Sequence, residues 1–122
     1  MEARDTVVHV FADTPEPPYT AVIFTSRRTQ DDVEGYAATA EAMEELASTQ
    51  PGYLGIETVE DASTGLGLTV SYWATEGHGR AWKQVAEHAR AQRLGRERWY
   101  RGYRVRIATV ERAYGFGDAG PP

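Results

Sequence analysis

Residues 53–73, with the sequence YLGIETVEDASTGLGLTVSYW, predict a β-hairpin near the middle of the 122-residue chain. Runs rich in β-branched and aromatic residues at 53–60 and 66–73 are typical of strands, and DASTG (61–65) favours a turn between them. The second strand alternates two kinds of side chain, with Leu66, Leu68, Val70 and Tyr72 on one face and Gly67, Thr69, Ser71 and Trp73 on the other. One face of this sheet is therefore apolar, and the other is small and polar apart from one indole.

A helix is predicted on each side of the hairpin. Residues 31–49 carry apolar side chains at helical spacing, and Asp31 or Asp32 is a suitable N-cap. After the hairpin, Thr75 can cap a second helix that continues to about Arg93. The two predicted helices therefore flank the hairpin along the chain.

Strand-forming residues also occur at both ends of this unit, at 19–26 and 103–114. The resulting order, β-α-β-β-α-β, predicts an α+β ferredoxin-like fold, with an antiparallel sheet and both helices on one of its faces. The other face keeps apolar side chains that one small domain cannot cover. We therefore expect a homodimer in which the two open sheet faces meet.

The rest of the chain divides simply. Residues 1–18 form a proline-rich N-terminal extension, in which VVHVFA (7–12) is a possible extra strand. Residues 19–116 form the single domain, and residues 117–122 form a flexible tail. The N-terminus does not resemble a secretory signal, and no apolar run approaches the length of a membrane span, so we expect a cytoplasmic protein without a membrane partner.

Composition and charge restrict the chemistry. The chain has no cysteine, which excludes disulfides, thiolate metal sites and cysteine nucleophiles. The net charge of −5 combines −11 over residues 1–79 with +7 over residues 80–112 and −1 from Asp118. The basic segment interleaves arginines with aromatic residues, a pattern that also suits nucleic-acid binding. We interpret the two halves instead as complementary surfaces of a fold or dimer, and expect no nucleic-acid partner.

Three segments resemble the antibiotic biosynthesis monooxygenase family: PGYLGIE (51–57), VSYWATE (70–76) and RAWK (80–83). The similarity extends over roughly residues 19–116. It implies a dimeric α/β barrel, the assembly that this family forms. Its members include cofactor-free oxygenases, haem-degrading enzymes, isomerase-like proteins and proteins of no known activity, so the fold alone does not select one function.

The resemblance makes a cofactor-independent monooxygenase acting on a small phenol or hydroquinone the leading expectation, with no cofactor. Such chemistry needs a base, donors for a developing oxyanion and a dry aromatic pocket. We predict His88 and Tyr72 as catalytic residues. The predicted substrate-binding residues are Trp73, Trp82, His78, Tyr103 and Arg104.

Structural roles compete with these assignments. Trp82 heads the apolar stripe of the second helix and suits core packing, while His78, between two glycines, suits the start of that helix. His88 lies at the edge of the stripe, where it can reach a pocket or hydrogen-bond a carbonyl. His78 and His88 are too far apart in sequence to share a metal ion, and we expect no metal site.

Two alternative functions remain open. One is a non-catalytic dimeric module of the same fold that binds a small ligand. The other is a haem-binding or haem-degrading monooxygenase, since Trp82 corresponds to a tryptophan of the haem-degrading relatives. Their iron-binding histidine corresponds to Gln92, however, and their first-strand asparagine corresponds to Phe24 or Thr25.

Overall fold

A computed structural model describes residues 11–92 and 98–117. Within these residues the chain forms four strands and two helices in the predicted order. Their bounds are β1 Tyr19–Arg28, α1 Val33–Ser48, β2 Tyr53–Asp61, β3 Leu66–Trp73, α2 Glu76–Gln92 and β4 Tyr100–Val110.

The four strands form one sheet in the order β2-β3-β1-β4, and every neighbouring pair is antiparallel. The first strand is central, so Val22 pairs with Ser71 of β3 on one side and Ile107 of β4 on the other. Both helices pack on the same face of the sheet. The predicted ferredoxin-like fold is confirmed.

Each helix begins at a predicted cap. The Asp32 side chain accepts a hydrogen bond from the backbone N–H of Gly35 at 3.2 Å, which satisfies one of the free donors at the start of α1. Thr75 does the same for α2, because its Oγ1 accepts from the backbone N–H of His78 at 3.1 Å. Local polar side chains thus set both helix starts.

The glycine at position 79 lets α2 approach the sheet closely. A Cβ at Gly79 would lie 3.1 Å from Cγ2 of Thr20 and 3.2 Å from Cγ2 of Val22, both on β1. The low helix propensity of glycine in the first turn is therefore offset by close helix–sheet packing.

The two faces of β3 have opposite environments. Its small, polar face with Trp73 lies under the helices, and Trp73 is fully buried there. Its apolar face, which includes Leu66 and Leu68, points to the side of the sheet without helices, called the open face below, and both leucines are exposed. Small side chains on the covered face leave space between sheet and helices.

The last strand differs from its prediction. The sequence predicts a strand over residues 103–114, but β4 begins at Tyr100 and ends at Val110. Val110 pairs with Tyr19, the first residue of β1, so no strand remains beside the chain beyond that point. Residues 111–116 consequently have no strand structure, and Tyr114 and Phe116 are 93% and 99% exposed.

The segment before β1 lies against the open face. The backbone N–H of Ala12 donates to Oε2 of Glu57 on β2 at 2.8 Å, and the Thr14 hydroxyl donates to the Tyr19 hydroxyl at 2.9 Å. Residues 7–10 of the predicted extra strand lie outside the described residues, and residues 11 and 12 are not in a strand. The division into extension, domain and tail stays a prediction. Neither described helix is long and apolar enough to cross a membrane.

Candidate functional site

A cavity of about 90 Å³ lies between the covered face of the sheet and the two helices. A single water needs roughly 10–15 Å³ of such space, so the cavity holds several waters or one small ring. Both helices and all four strands contribute lining side chains. The cavity therefore exists only in the folded tertiary structure.

Aromatic side chains form much of the cavity lining, and the group is Phe24, Tyr36, Trp82 and Tyr100. Tyr100 lies between Phe24 and Tyr36 in this group. Its ring is edge-on to both, with centroid distances of 5.6 Å to Phe24 and 5.8 Å to Tyr36. Trp82 is backed by Trp73, whose ring it stacks on at 5.6 Å. This aromatic group provides a largely apolar surface for a planar ligand.

A row of three hydroxyls from β2 and β3 also lines the cavity: Thr58, Thr69 and Ser71. The Thr58 and Thr69 hydroxyls lie 2.8 Å apart across the two strands. Ser71 Oγ accepts a hydrogen bond from Nε1 of buried Trp73 at 2.8 Å. A hydroxyl that accepts in this way keeps its own proton to donate, so the row can bind a polar ligand atom.

One end of the cavity contains a connected polar cluster. The Tyr36 hydroxyl donates to Oε2 of Glu60 at 2.7 Å, and Arg28 Nη1 donates to the other carboxylate oxygen at 2.8 Å. The Arg28 guanidinium also lies 3.6 Å above the centre of the Tyr36 ring. Burial, followed by the hydrogen bond to Glu60, raises the pKa of Tyr36 well above its ordinary value. Tyr36 therefore stays a neutral donor at physiological pH.

Tyr72, one of the two predicted catalytic residues, lies on the open face. Its hydroxyl donates to Oε1 of Glu57 at 2.7 Å, and its ring meets Tyr19 edge-on at 5.8 Å. Burial and then the Glu57 hydrogen bond raise the pKa of Tyr72. The sheet itself separates this hydroxyl from the cavity.

Neither described histidine lines the cavity. His78 lies at the start of α2, with Nδ1 2.9 Å from the Thr75 hydroxyl and its ring against Gly52. His88 is exposed on α2. His78 thus takes the helix-start position that competed with a role in binding.

The remaining predicted binding residues divide between the two faces. Trp82 lines the cavity, and Trp73 supports it from behind. Tyr103 adjoins the cavity through ring contacts to Phe24 at 5.2 Å and Tyr100 at 5.5 Å. Arg104 lies one residue further along β4, so its exposed side chain belongs to the open face.

The structure adds several cavity residues that sequence reasoning did not select: Tyr36, Glu60 and Arg90, together with the hydroxyl row. Arg28 adjoins them through its contacts with Glu60 and Tyr36. Part of the signal was present, because small polar residues alternate along β3 beside a tryptophan. The charged residues carried no such signal, since they come from different elements. In residues 11–92 and 98–117, no group of three His, Asp or Glu side chains converges on a point that would suit a metal ion.

Comparison with known proteins agrees with this architecture. The model of the family described as "Antibiotic biosynthesis monooxygenase" matches residues 20–94, more than half of the chain. The chain belongs to this antibiotic biosynthesis monooxygenase family. The match ends near the end of α2, so β4 contributes to the cavity from beyond the matched segment.

Individual relatives extend the comparison. The uncharacterized protein YqjZ of Bacillus subtilis is 50% identical over 99 residues, which are 81% of this chain and 85% of that protein. The solved structure of Rv0793 from Mycobacterium tuberculosis is 19% identical, with a TM-score of 0.63 over 79% of this chain and 99% of that one. PA3566 from Pseudomonas aeruginosa is 17% identical, with a TM-score of 0.60 over 82% and 99%. The two structures are similar to this chain in fold.

Proposed function

We propose that this protein is a cofactor-independent monooxygenase that oxidises a small phenol or hydroquinone in the cavity between the sheet and the helices. The observation that supports this proposal best is the cavity lining, an aromatic group facing a row of hydroxyls. A planar phenolic ring fits between aromatic side chains, and its oxygen atoms find hydrogen-bonding partners in the hydroxyl row. The cavity volume favours one ring over a fused ring system.

The reaction balances without a cofactor, because the substrate supplies the electrons. Hydroquinone and dioxygen give hydroxybenzoquinone and water: one oxygen atom replaces a ring hydrogen, and the other leaves as water. The dihydroxy ring is oxidised to the quinone in the same step. The protein holds the ring, excludes bulk water and hydrogen-bonds the oxygen atoms as charge develops.

Isotope labelling tests the proposal directly. Hydroquinone is incubated with the protein under ¹⁸O₂, and the product is examined by mass spectrometry. We expect one labelled atom in hydroxybenzoquinone, at a rate proportional to protein concentration. Spontaneous oxidation gives unlabelled benzoquinone and hydrogen peroxide instead, and that result alone would refute the monooxygenase.

Removal of one hydroxyl links the activity to the cavity. Thr69→Val keeps the side-chain shape but removes a member of the hydroxyl row, and we expect at least a tenfold loss of turnover. Thr109→Val is the matched control, because Thr109 is exposed on β4. Equal activity of both variants would show that the hydroxyl row takes no part.

The same assay tests the two residues predicted to be catalytic. His88→Gln and Tyr72→Phe change side chains that lie outside the cavity, so a reaction confined to the cavity proceeds at nearly the wild-type rate in both. A tenfold loss in either variant would instead support the prediction that this residue is catalytic, and the reaction would then take place outside the cavity.

A non-catalytic binding module is the second candidate. The observation that favours it is the position of the two described histidines outside the cavity, so that, among the described residues, no histidine lines it to act as a base at neutral pH. If the protein is such a module, we expect saturable binding of hydroquinone and no ¹⁸O incorporation into it. Calorimetry together with the labelling experiment separates the two functions.

The cavity does not suit haem. A porphyrin is far larger than a space of about 90 Å³, and neither described histidine reaches the lining. Titration with haemin, followed by visible absorbance, is expected to give no saturable Soret band.

We further propose a homodimer through the open face. Val59 and Leu66, on β2 and β3, are 64% and 53% exposed there, and Leu68 lies close by on β3. Contiguous exposed apolar side chains on a sheet face favour association with a matching surface. The cavity is on the opposite side of the sheet, so dimerisation leaves its lining within one protomer.

A further inference from the structure

Arg90 places a positive charge at the aromatic end of the cavity. It lies on α2 and lines the cavity, and its guanidinium carbon is 4.2 Å from the centroid of the Phe24 ring. The same carbon is 5.8 Å from the centroid of the Tyr103 ring. The guanidinium thus lies over the Phe24 ring, and the side chain forms part of the cavity lining.

The nearby carboxylate of Glu60 already has hydrogen-bond partners. Both carboxylate oxygens of Glu60 have partners, Arg28 at 2.8 Å and the Tyr36 hydroxyl at 2.7 Å. Among the described residues, no carboxylate lies within ion-pair distance of Arg90 and no hydrogen-bond acceptor is bound to it. Since Arg28 and Glu60 are paired, Arg90 is a positive charge beside the aromatic group without an ion-pair partner among the described residues. The lining also contains one further acidic and one further basic side chain, Glu44 and Lys83.

The N–H donors of the Arg90 guanidinium are available to a ligand, because no described residue accepts a hydrogen bond from them. Stacking on an aromatic ring uses the face of the group, whereas its N–H donors point outward in its plane. Those donors match a carboxylate, which they bind through two parallel hydrogen bonds. The charge also acts within the cavity, because it partly opposes the rise that burial causes in the pKa of Tyr100.

We propose that the ligand of this cavity is an aromatic carboxylate, with its carboxylate bound by Arg90 and its ring among the aromatic side chains. This proposal rests on the function proposed above and specifies the substrate class, a hydroxylated benzoic acid rather than a neutral phenol. The hydroxyl row then contacts the ring hydroxyls of the same ligand. Arg104, one of the substrate-binding residues predicted from the sequence, lies on the other face of the sheet.

Three matched probes test the proposal by calorimetry: 2,5-dihydroxybenzoate, its methyl ester and hydroquinone. All three carry the same pair of ring hydroxyls, and only the first carries a charge at neutral pH. We expect the acid to bind at least tenfold more tightly than the ester. The ester is the more apolar of the two, so this preference does not arise from burial of the ring.

Substitutions then assign the preference to one residue. Arg90→Gln is expected to abolish the acid-to-ester ratio, and Arg90→Lys to retain part of it, because lysine keeps the charge without the planar fork. Arg104→Gln is the control and leaves the ratio unchanged. The ratio compares two ligands on one protein, so a general loss of stability does not alter it, and Arg90→Lys suffices if Arg90→Gln does not fold.

The outcomes separate this proposal from the function on which it rests. Equal affinity for acid and ester in the wild-type protein, or a ratio unchanged in the Arg90 variants, overturns the carboxylate proposal and leaves phenol oxidation standing. Failure of all three probes to bind overturns both.

Discussion

The indole rings of Trp73 and Trp82 are stacked, with centroids 5.6 Å apart and planes inclined by 23°. Trp73 comes from β3 and Trp82 from α2, so the contact joins the sheet to a helix. Trp73 is fully buried behind Trp82, and Trp82 also lines the cavity. From the sequence, core packing and ligand contact are competing roles for Trp82. In the structure they fall on opposite sides of its indole ring, because one side stacks on Trp73 and the other lines the cavity.

Truncation of this stacked pair should weaken the whole domain. For Trp82→Ala we expect the free energy of unfolding to fall by about 3–5 kcal/mol, the cost of a large cavity in a core. Urea denaturation followed by circular dichroism measures the change. Tyr114→Ala removes an aromatic ring that is almost entirely exposed, and it should stay within about 0.5 kcal/mol of wild type. Similar values for the two variants would show that the stack contributes little.

Gly52 should resist substitution for two reasons. Its φ of +81° lies in the left-handed region, and an added Cβ would lie 2.3 Å from Cγ of the His78 ring. Gly52→Ala is therefore expected to lower the free energy of unfolding by at least about 1–2 kcal/mol from the backbone alone. Thermal unfolding measures this effect.

The two causes can be separated with paired variants. Gly102→Ala adds a methyl where nothing lies within 4 Å and should be nearly neutral. His78→Ala in the Gly52→Ala background removes the contact with the imidazole ring and should restore part of the stability, although Cβ of residue 78 still lies 2.8 Å from the added methyl. A double variant no more stable than the single one would show that the imidazole ring contributes nothing to the cost.

Alkaline pH should destabilise the protein through Tyr36. In the unfolded chain this residue ionises near its ordinary pKa of 10.0, whereas burial raises its pKa in the native state. Above that pH the unfolded state releases a proton that the native state retains. The free energy of unfolding then falls by about 1.4 kcal/mol per pH unit for one such tyrosine, and below that pH it does not change on this account.

Urea denaturation between about pH 9 and pH 11 tests this dependence. Tyr36→Phe should fall less steeply with pH than the wild type, although it starts lower because Glu60 loses a hydrogen bond. Tyr114→Phe, at an exposed site, should keep the wild-type slope. An unchanged slope in Tyr36→Phe would contradict the assignment.

A charge on the open face should separate the proposed dimer. Leu68→Lys places an ammonium group opposite a second copy, so we expect the dissociation constant to rise at least tenfold. Sedimentation velocity over a range of concentrations provides the measurement. Val33→Lys, at an exposed apolar site on α1, is the control and should leave association unchanged. A wild-type protein that stays monomeric would refute the interface.

Much of the fold could be predicted from local patterns. Alternation along residues 66–73 predicted the bounds of β3, and the side chains of Asp32 and Thr75 identified both helix starts. The end of β4 could not be obtained in this way. Residues 111–114 suit a strand, but pairing stops where β1 begins, and that limit depends on the partner strand.

The sequence by itself determined the order of elements and the presence of one apolar sheet face, because these follow from short-range periodicity, and the resemblance of residues 51–57, 70–76 and 80–83 indicated the family. Tertiary structure alone decided which face the helices cover and which side chains meet in the cavity. Glu60, Tyr36 and Arg90 come from β2, α1 and α2, so no spacing in the sequence relates them. They line one cavity, and that space exists because the small side chains of β3, among them Thr69 and Ser71, do not fill the gap beneath the helices.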